Sequence, residues 1–143
     1  MPETFQTGLC SCGKCTFSVM MPHYKSVACH CLDCQRRTGS AFSFTVYFHE
    51  SHMSYQEKDF ANYQFTSKGG RKITSYFCDT CGTSLFFKGD MQNDLVGVNA
   101  GCFLDGVGAF DIDQQVYCED KAEFVTLACY VAFKKGPRVL TAI

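Results

Sequence analysis

The chain has 143 residues, 46% of them hydrophobic, and a formal charge of -1. That length suits one domain with a real apolar core, and the charges are scattered, with only short basic pairs such as Arg36-Arg37 and Lys134-Lys135. Such a distribution lacks the basic stripe that a nucleic-acid partner demands, and the longest greasy run, "FVTLACYVAF" (124–133), is too short for a membrane-spanning helix.

Taken in chain order, the first 25 residues contain no basic stretch leading into a continuous apolar run, so no secretory signal is expected there. A reducing, cytoplasmic location follows, in which cysteines are thiols or metal ligands rather than bridges. The 11 cysteines, an odd number, agree with that.

Apolar residues then recur with period two. Short strands are predicted at 15–20, 26–29, 42–48, 72–78, 84–89, 95–101 and 114–118. The clearest is "FSFTVYF" (42–48), with Phe42, Phe44, Val46 and Phe48 on one face and Ser43, Thr45 and Tyr47 on the other, which reads as a half-buried strand. Turn-formers separate these runs at "SKGG" (67–70), "GDMQND" (89–94) and "LDGVG" (104–108), and a helical turn is expected after Cys34. No repeat or linker divides the chain. The expectation is a single mostly-β domain over residues 1–143, built of short antiparallel strands.

Seven cysteines fall in three clusters on that scaffold: "CSC" (10–12), "CHCLDC" (29–34) and "CDTC" (78–81). Cys81 and Cys12 each run directly into a glycine, the shape of a zinc knuckle whose tight turn aims two thiolates at one ion. Pairing Cys10 and Cys12 with Cys78 and Cys81 gives four thiolates and a closed, structural site, a clip between distant segments. Cys29, Cys31 and Cys34 are left as a set of three. Three protein ligands leave a position open for water or substrate, and three thiolates around zinc carry a formal -1 rather than -2, which preserves Lewis acidity. A redox reading of Cys78 and Cys81 would want a βαβ context that is absent.

His30 is the rival fourth ligand. If 27–31 is extended, however, it points away from Cys29 and Cys31, and a packed or hydrogen-bonded role is expected. His23, His49 and His52 read as ordinary loop or surface residues, and Cys15, Cys102, Cys118 and Cys129, each alone in an apolar run, as core. Arg36 and Arg37 would ordinarily be a solvated turn. They follow the trio closely enough to offset thiolate charge or hold a substrate carboxylate.

The segments "GLCSCGKCTFSV" (8–19), "CHCLDCQRRTGSAFS" (29–43), "RKITSYFCDTCGTSLFF" (71–87), "VGVNAGCFLD" (96–105) and "DKAEF" (120–124) together resemble the glutathione-dependent formaldehyde-activating enzyme family, which also includes centromere protein V. The resemblance implies a β-tent fold with two zincs per chain, one at Cys10, Cys12, Cys78 and Cys81 and a second at Cys29, Cys31 and Cys34. It also implies condensation of glutathione with formaldehyde to S-hydroxymethylglutathione, a carbon–sulfur lyase reaction in reverse.

The expected function is therefore a zinc-dependent carbon–sulfur lyase acting on a thiol–aldehyde adduct. Cys29, Cys31 and Cys34 would be its working ligands, Arg36 and Arg37 its anion-binding residues, and a small-molecule thiol such as glutathione its partner. The alternative is a non-catalytic, zinc-stabilised interaction module, which would need a tight fourth protein ligand at the second zinc. Redox sensing by zinc release is a third reading. Nothing in the sequence fixes an oligomeric state.

Overall fold

Period-two alternation makes most of the chain extended, and in the computed structural model, which describes residues 4–90 and 94–135, the strands form two sheets. The smaller holds β1 (Phe5–Leu9), β2 (Thr16–Met20) and β5 (Met53–Tyr55), antiparallel in the order β1-β2-β5. The larger holds β3 (Lys25–Cys29), β4 (Ser43–His49), β6 (Ala61–Thr66), β7 (Lys72–Phe77), β8 (Ser84–Gly89), β9 (Leu95–Asn99), β10 (Ile112–Val116) and β11 (Cys129–Ala132). Their order is β11-β10-β3-β4-β9-β8-β7-β6.

The expected antiparallel pairing holds through most of this sheet. At one end β10 runs parallel to both β3 and β11, because the long connection after β9 carries the chain back over the sheet before β10 enters it. Among the described residues no helix is long and apolar enough to cross a membrane.

Side-chain alternation gives the large sheet two different faces. Val46 and Phe48 of β4, Val96 and Val98 of β9 and Phe86 of β8 pack against Phe17 and Val19 of β2, with Phe103 and Phe110 from the β9–β10 connection. Many aromatic rings of this core meet edge-on, as in Phe17–Phe103 at 5.5 Å and Tyr55–Phe86 at 4.8 Å between centroids, while Tyr76 stacks on Phe86 at 4.7 Å.

The opposite face carries Val27, Cys29, Ser43, Thr45, Tyr47, Phe87 and Asn99. The two faces of β4 are divided as the alternation predicts, but the strand is not half-buried. Ser43 and Thr45 are 8% and 5% exposed, because the second face forms the floor of a cavity rather than an outer surface.

The single α-helix of the described residues, α1 (Leu32–Thr38), begins before Cys34 and contains it, two turns where one turn after Cys34 was expected. The cause is local. Cys31 is extended (φ -60°, ψ 154°) and its sulfur accepts the Cys34 N–H, so it serves as the N-cap; Gly39 (φ 63°) closes the other end in a left-handed conformation. The turns at 67–70 and 104–108 are where the glycines place them, and part of the 89–94 turn lies outside the described residues.

Gly97 lies across from Tyr47 on one side and Phe87 on the other. A Cβ there would come within 2.4–2.8 Å of Phe87 ring atoms, so the missing side chain lets that ring lie over β9. Gly97→Ala should destabilise the fold by about 1–3 kcal/mol through this overlap. Urea unfolding would show a lower midpoint at unchanged slope; an unmoved midpoint would mean that the ring has space to shift.

Candidate metal centres and the adjoining cavity

Two strand connections carry the four-cysteine group. The β1–β2 connection supplies Cys10 and Cys12, the β7–β8 connection Cys78 and Cys81, and both turn in the same way. Cys10 N–H donates to the Cys15 carbonyl at 3.0 Å, and Cys78 N–H to the Thr83 carbonyl at 2.9 Å. Gly13 (φ 82°) and Gly82 (φ 76°) take the left-handed residue each loop needs.

Backbone amides then point at sulfur, Cys15 N–H to Cys10 Sγ at 3.2 Å and Cys81 N–H to Cys78 Sγ at 3.5 Å. Hydrogen bonds from Thr83 pull the exposed Cys81 thiol down to about 5. Lys14 and Asp79 pair across the two loops at 2.5 Å, and Ser11 N–H reaches the Thr83 hydroxyl at 3.1 Å.

Four thiolates at about 2.3 Å from a tetrahedral zinc would stand about 3.8 Å apart. Here all four sulfurs lie within 4.8 Å of one another, with Cys10–Cys12 at 3.6 Å and Cys12–Cys78 at 3.7 Å. The donor set fits zinc.

The second group stands at the end of β3 and the start of α1, where Cys29, Cys31 and Cys34 also bring their sulfurs within 4.8 Å of one another. No histidine or carboxylate among the described residues completes the set. Hydrogen bonds from the Cys29 and Cys34 thiols, opposed by partial burial, draw Cys31 down to about 2. Hydrogen bonding to Cys31, then to Cys34, and burial push Cys29 far up. For Cys34 a hydrogen bond from Cys29 acts downward, yet Cys31 and burial carry it up to about 11. Three thiols in contact thus share one negative charge, and a divalent cation would be required before all could ionise.

His30 does not join this group. It is wholly buried on the other side of the chain from the trio, with Nε2 2.7 Å from the Gln115 carboxamide oxygen. Gln115 Nε2 donates onward to Cys129 Sγ at 2.9 Å, which leaves its oxygen as the acceptor and puts the imidazole proton on Nε2. Gln35 Nε2 donates to the His30 carbonyl at 2.9 Å and so ties α1 to the same point. His23 packs edge-on against Phe110, with Asp113 at 3.6 Å, and the His49 and His52 rings are 5.7 Å apart; none belongs to either cysteine group.

Of the lone cysteines, Cys15 and Cys102 are core, and burial pushes their thiols up to about 12 and about 11. Cys118 and Cys129 are only half-buried, contrary to expectation, since β11 is a sheet edge and Cys118 sits just beyond β10.

The trio opens on a cavity of about 1120 Å³. Its floor is the second face of the large sheet, and α1 and the β6–β7 hairpin stand over it. Four cations line it (Arg37, Lys68, Arg71 and Lys135) against one carboxylate, Asp33. The Arg37 guanidinium lies 3.1 Å from the centroid of the Phe65 ring, joining α1 to the hairpin. Lys68, at the hairpin tip, reaches Asp120 at 3.3 Å and lies 5.0 Å over Tyr117.

Of the two expected arginines only Arg37 lines the cavity. Arg36 is exposed and about 100° further round the helix. Lys68, Arg71 and Gln115 were not singled out by sequence, although "SKGGRK" (67–72) places three cations in six residues.

Two outcomes follow from the cysteine groups. Cys78→Ser should abolish cooperative thermal unfolding followed by circular dichroism, because the clip's metal-binding energy is folding energy; a normal transition would show the clip to be dispensable. At the trio, Cys29 and Cys34 hold protons at neutral pH while Cys31 does not. Metal binding there should therefore release about two protons and tighten about 100-fold per pH unit between pH 6 and 8. Competition with a chromogenic chelator would read that slope, and a flat profile would contradict the shared charge.

A family model described as glutathione-dependent formaldehyde-activating enzyme matches residues 5–120. Among solved structures, the crystal structure of a Rhodobacter sphaeroides protein is similar with a TM-score of 0.54 at 22% identity, covering 67% of this chain and 85% of that one, a likeness of fold. No curated protein matches. The family match takes in both cysteine groups and every cavity-lining residue except Lys135. The chain belongs to the glutathione-dependent formaldehyde-activating enzyme family.

Proposed function

We propose that this protein makes and breaks the carbon–sulfur bond of a thiol–aldehyde adduct beside Cys29, Cys31 and Cys34. The observation that carries this reading is a three-cysteine group without a fourth protein ligand, opening on a cavity large enough for a substrate. Zinc held by the three thiolates would supply a cationic position able to hold a thiol as its thiolate and to draw charge from a carbonyl oxygen.

The chain's own groups supply the rest. Arg37, Lys68 and Arg71 face the cavity, and cations there hold the carboxylates of an anionic thiol such as glutathione. Ser43 donates its hydroxyl proton toward the Cys34 sulfur, and Thr45 offers a hydroxyl on the floor, where a carbonyl oxygen that gains charge needs a donor.

Family membership supports glutathione and formaldehyde as the first substrates to try. Eleven free thiols fit a reducing cytoplasm as the working compartment. The interaction-module reading needs a tight fourth protein ligand at the trio; His30, the rival candidate, is paired with Gln115 instead, and no other histidine or carboxylate among the described residues joins the group.

Cys31→Ser should lose at least 100-fold in adduct turnover, measured by exchange NMR of zinc-loaded protein with glutathione and formaldehyde, while its circular dichroism spectrum is unchanged. A folded, fully active variant would overturn the proposal.

A further inference from the structure

The cavity is larger and more apolar than a one-carbon aldehyde requires. At about 1120 Å³ it lies above the range of roughly 300–1,000 Å³ usual for small-molecule sites. Its extent runs across the sheet. From Cys29 on β3 the floor runs diagonally past Thr45 and Tyr47 on β4 and across β9 to Phe87 on β8, three strand spacings or about 14 Å across the sheet, and four residues along it, since Cys29 pairs with Ser43 while Phe87 lies in register with Tyr47. Ile73 and Phe65 continue the wall beyond.

That far floor presents Tyr47 and Phe87 as its two large side chains, beside the short polar side chains of Thr45, Ser75 and Asn99. Gly97 stands between Tyr47 and Phe87, and a Cβ in its place would collide with the Phe87 ring. Tyr47 meets the same ring edge-on at 6.0 Å. The cations lining the cavity stand on α1, the hairpin and the segment after β11 rather than on β4, β9 or β8, so Tyr47 and Phe87 meet no cavity-lining charge from their own strands. Bound formaldehyde would leave this surface in contact with water.

We infer that the carbonyl partner is an aldehyde bearing an aromatic or branched apolar group, which lies on Tyr47 and Phe87 while the anionic thiol carrier meets Arg37, Lys68 and Arg71. This inference rests on the carbon–sulfur reading above and names its substrate class. The step is an addition without oxidation or reduction. The thiolate sulfur gives its electron pair to the carbonyl carbon, the carbonyl π pair moves to oxygen, and that oxygen takes one proton; the reverse step returns thiolate, aldehyde and proton. Selectivity comes from apolar area covered at the floor.

Two non-reacting adduct mimics test it, S-methylglutathione and S-benzylglutathione, titrated calorimetrically into the zinc-loaded full chain. The benzyl compound should bind at least tenfold tighter, and Phe87→Leu should shrink that ratio. Equal affinities, or no binding of either, would overturn the inference. Exchange NMR of glutathione with phenylglyoxal and with formaldehyde separates the two claims. A benzyl preference without turnover of either aldehyde would defeat the carbon–sulfur reading and leave the cavity's preference standing. Formaldehyde turnover with equal mimic affinities would do the reverse.

Discussion

The structure depends first on the meeting of two strand connections that lie far apart in sequence. Cys12 and Cys78 are 66 positions apart, yet their sulfurs are 3.7 Å apart. One connection belongs to the small sheet and the other to the large one, so the four-cysteine clip fixes how the sheets stack over their shared aromatic core. Closing so long a loop has an entropic cost that grows only slowly with length, which makes a metal clip at this point an efficient constraint. Both loops are built alike. Each turns through one left-handed glycine and closes with the same amide-to-carbonyl bond across five residues, and the four sulfurs so placed lie at a spacing that suits zinc.

Stacking one face of the large sheet on the small sheet determines what the other face can do. Val46 and Phe48 are committed to the core, which leaves Ser43, Thr45 and Tyr47 on a surface with no packed partner layer. A short helix and a hairpin stand over this surface without filling it. The residues that would bind substrate are therefore mounted on paired strands, and the strands are held from behind by the core. The Gln115–His30 pair does for the trio what the core does for the floor. It anchors the chain between Cys29 and Cys31 from the buried side, and Gln35 ties α1 to the same place. Ligand positions set by such a frame vary little.

How much of this was legible depended on where each element lies in its sheet. The seven strands that alternation predicted, β2, β3, β4, β7, β8, β9 and β10, are all interior strands with neighbours on both sides. The four it missed, β1, β5, β6 and β11, are the edges of the two sheets. An edge strand has less to bury and carries little apolar alternation: "ANYQFT" of β6 is mostly exposed, and β5 has only three residues. The cysteine groups were legible because ligand spacing is a local property. The cavity was not, since Phe65, Arg37, Lys68 and Tyr117 come together only through the sheet order, and no short window of sequence contains that. Arg36 and Arg37 show the same limit at smaller scale, because neighbouring positions on a helix diverge by about 100°.

Charge explains why a three-cysteine centre needs this setting. With the three sulfurs within 4.8 Å of one another, ionising one thiol opposes ionising the others, as the opposed shifts of Cys31 and Cys29 indicate. Around a divalent ion the three thiolates leave a formal -1, and an arriving thiolate makes the total -2. Such an approach is unfavourable in a partly buried site unless positive charge stands nearby. The cavity supplies four cations against the single carboxylate of Asp33, though Lys68 is already engaged with Asp120. Arg37 is held in place over Phe65, so its charge faces the cavity at little further entropic cost. The same cations attract carboxylates on the incoming molecule. On the proposed reading, an anionic thiol would meet groups that also offset the charge its own sulfur brings, whereas a neutral thiol would draw on them for its sulfur alone.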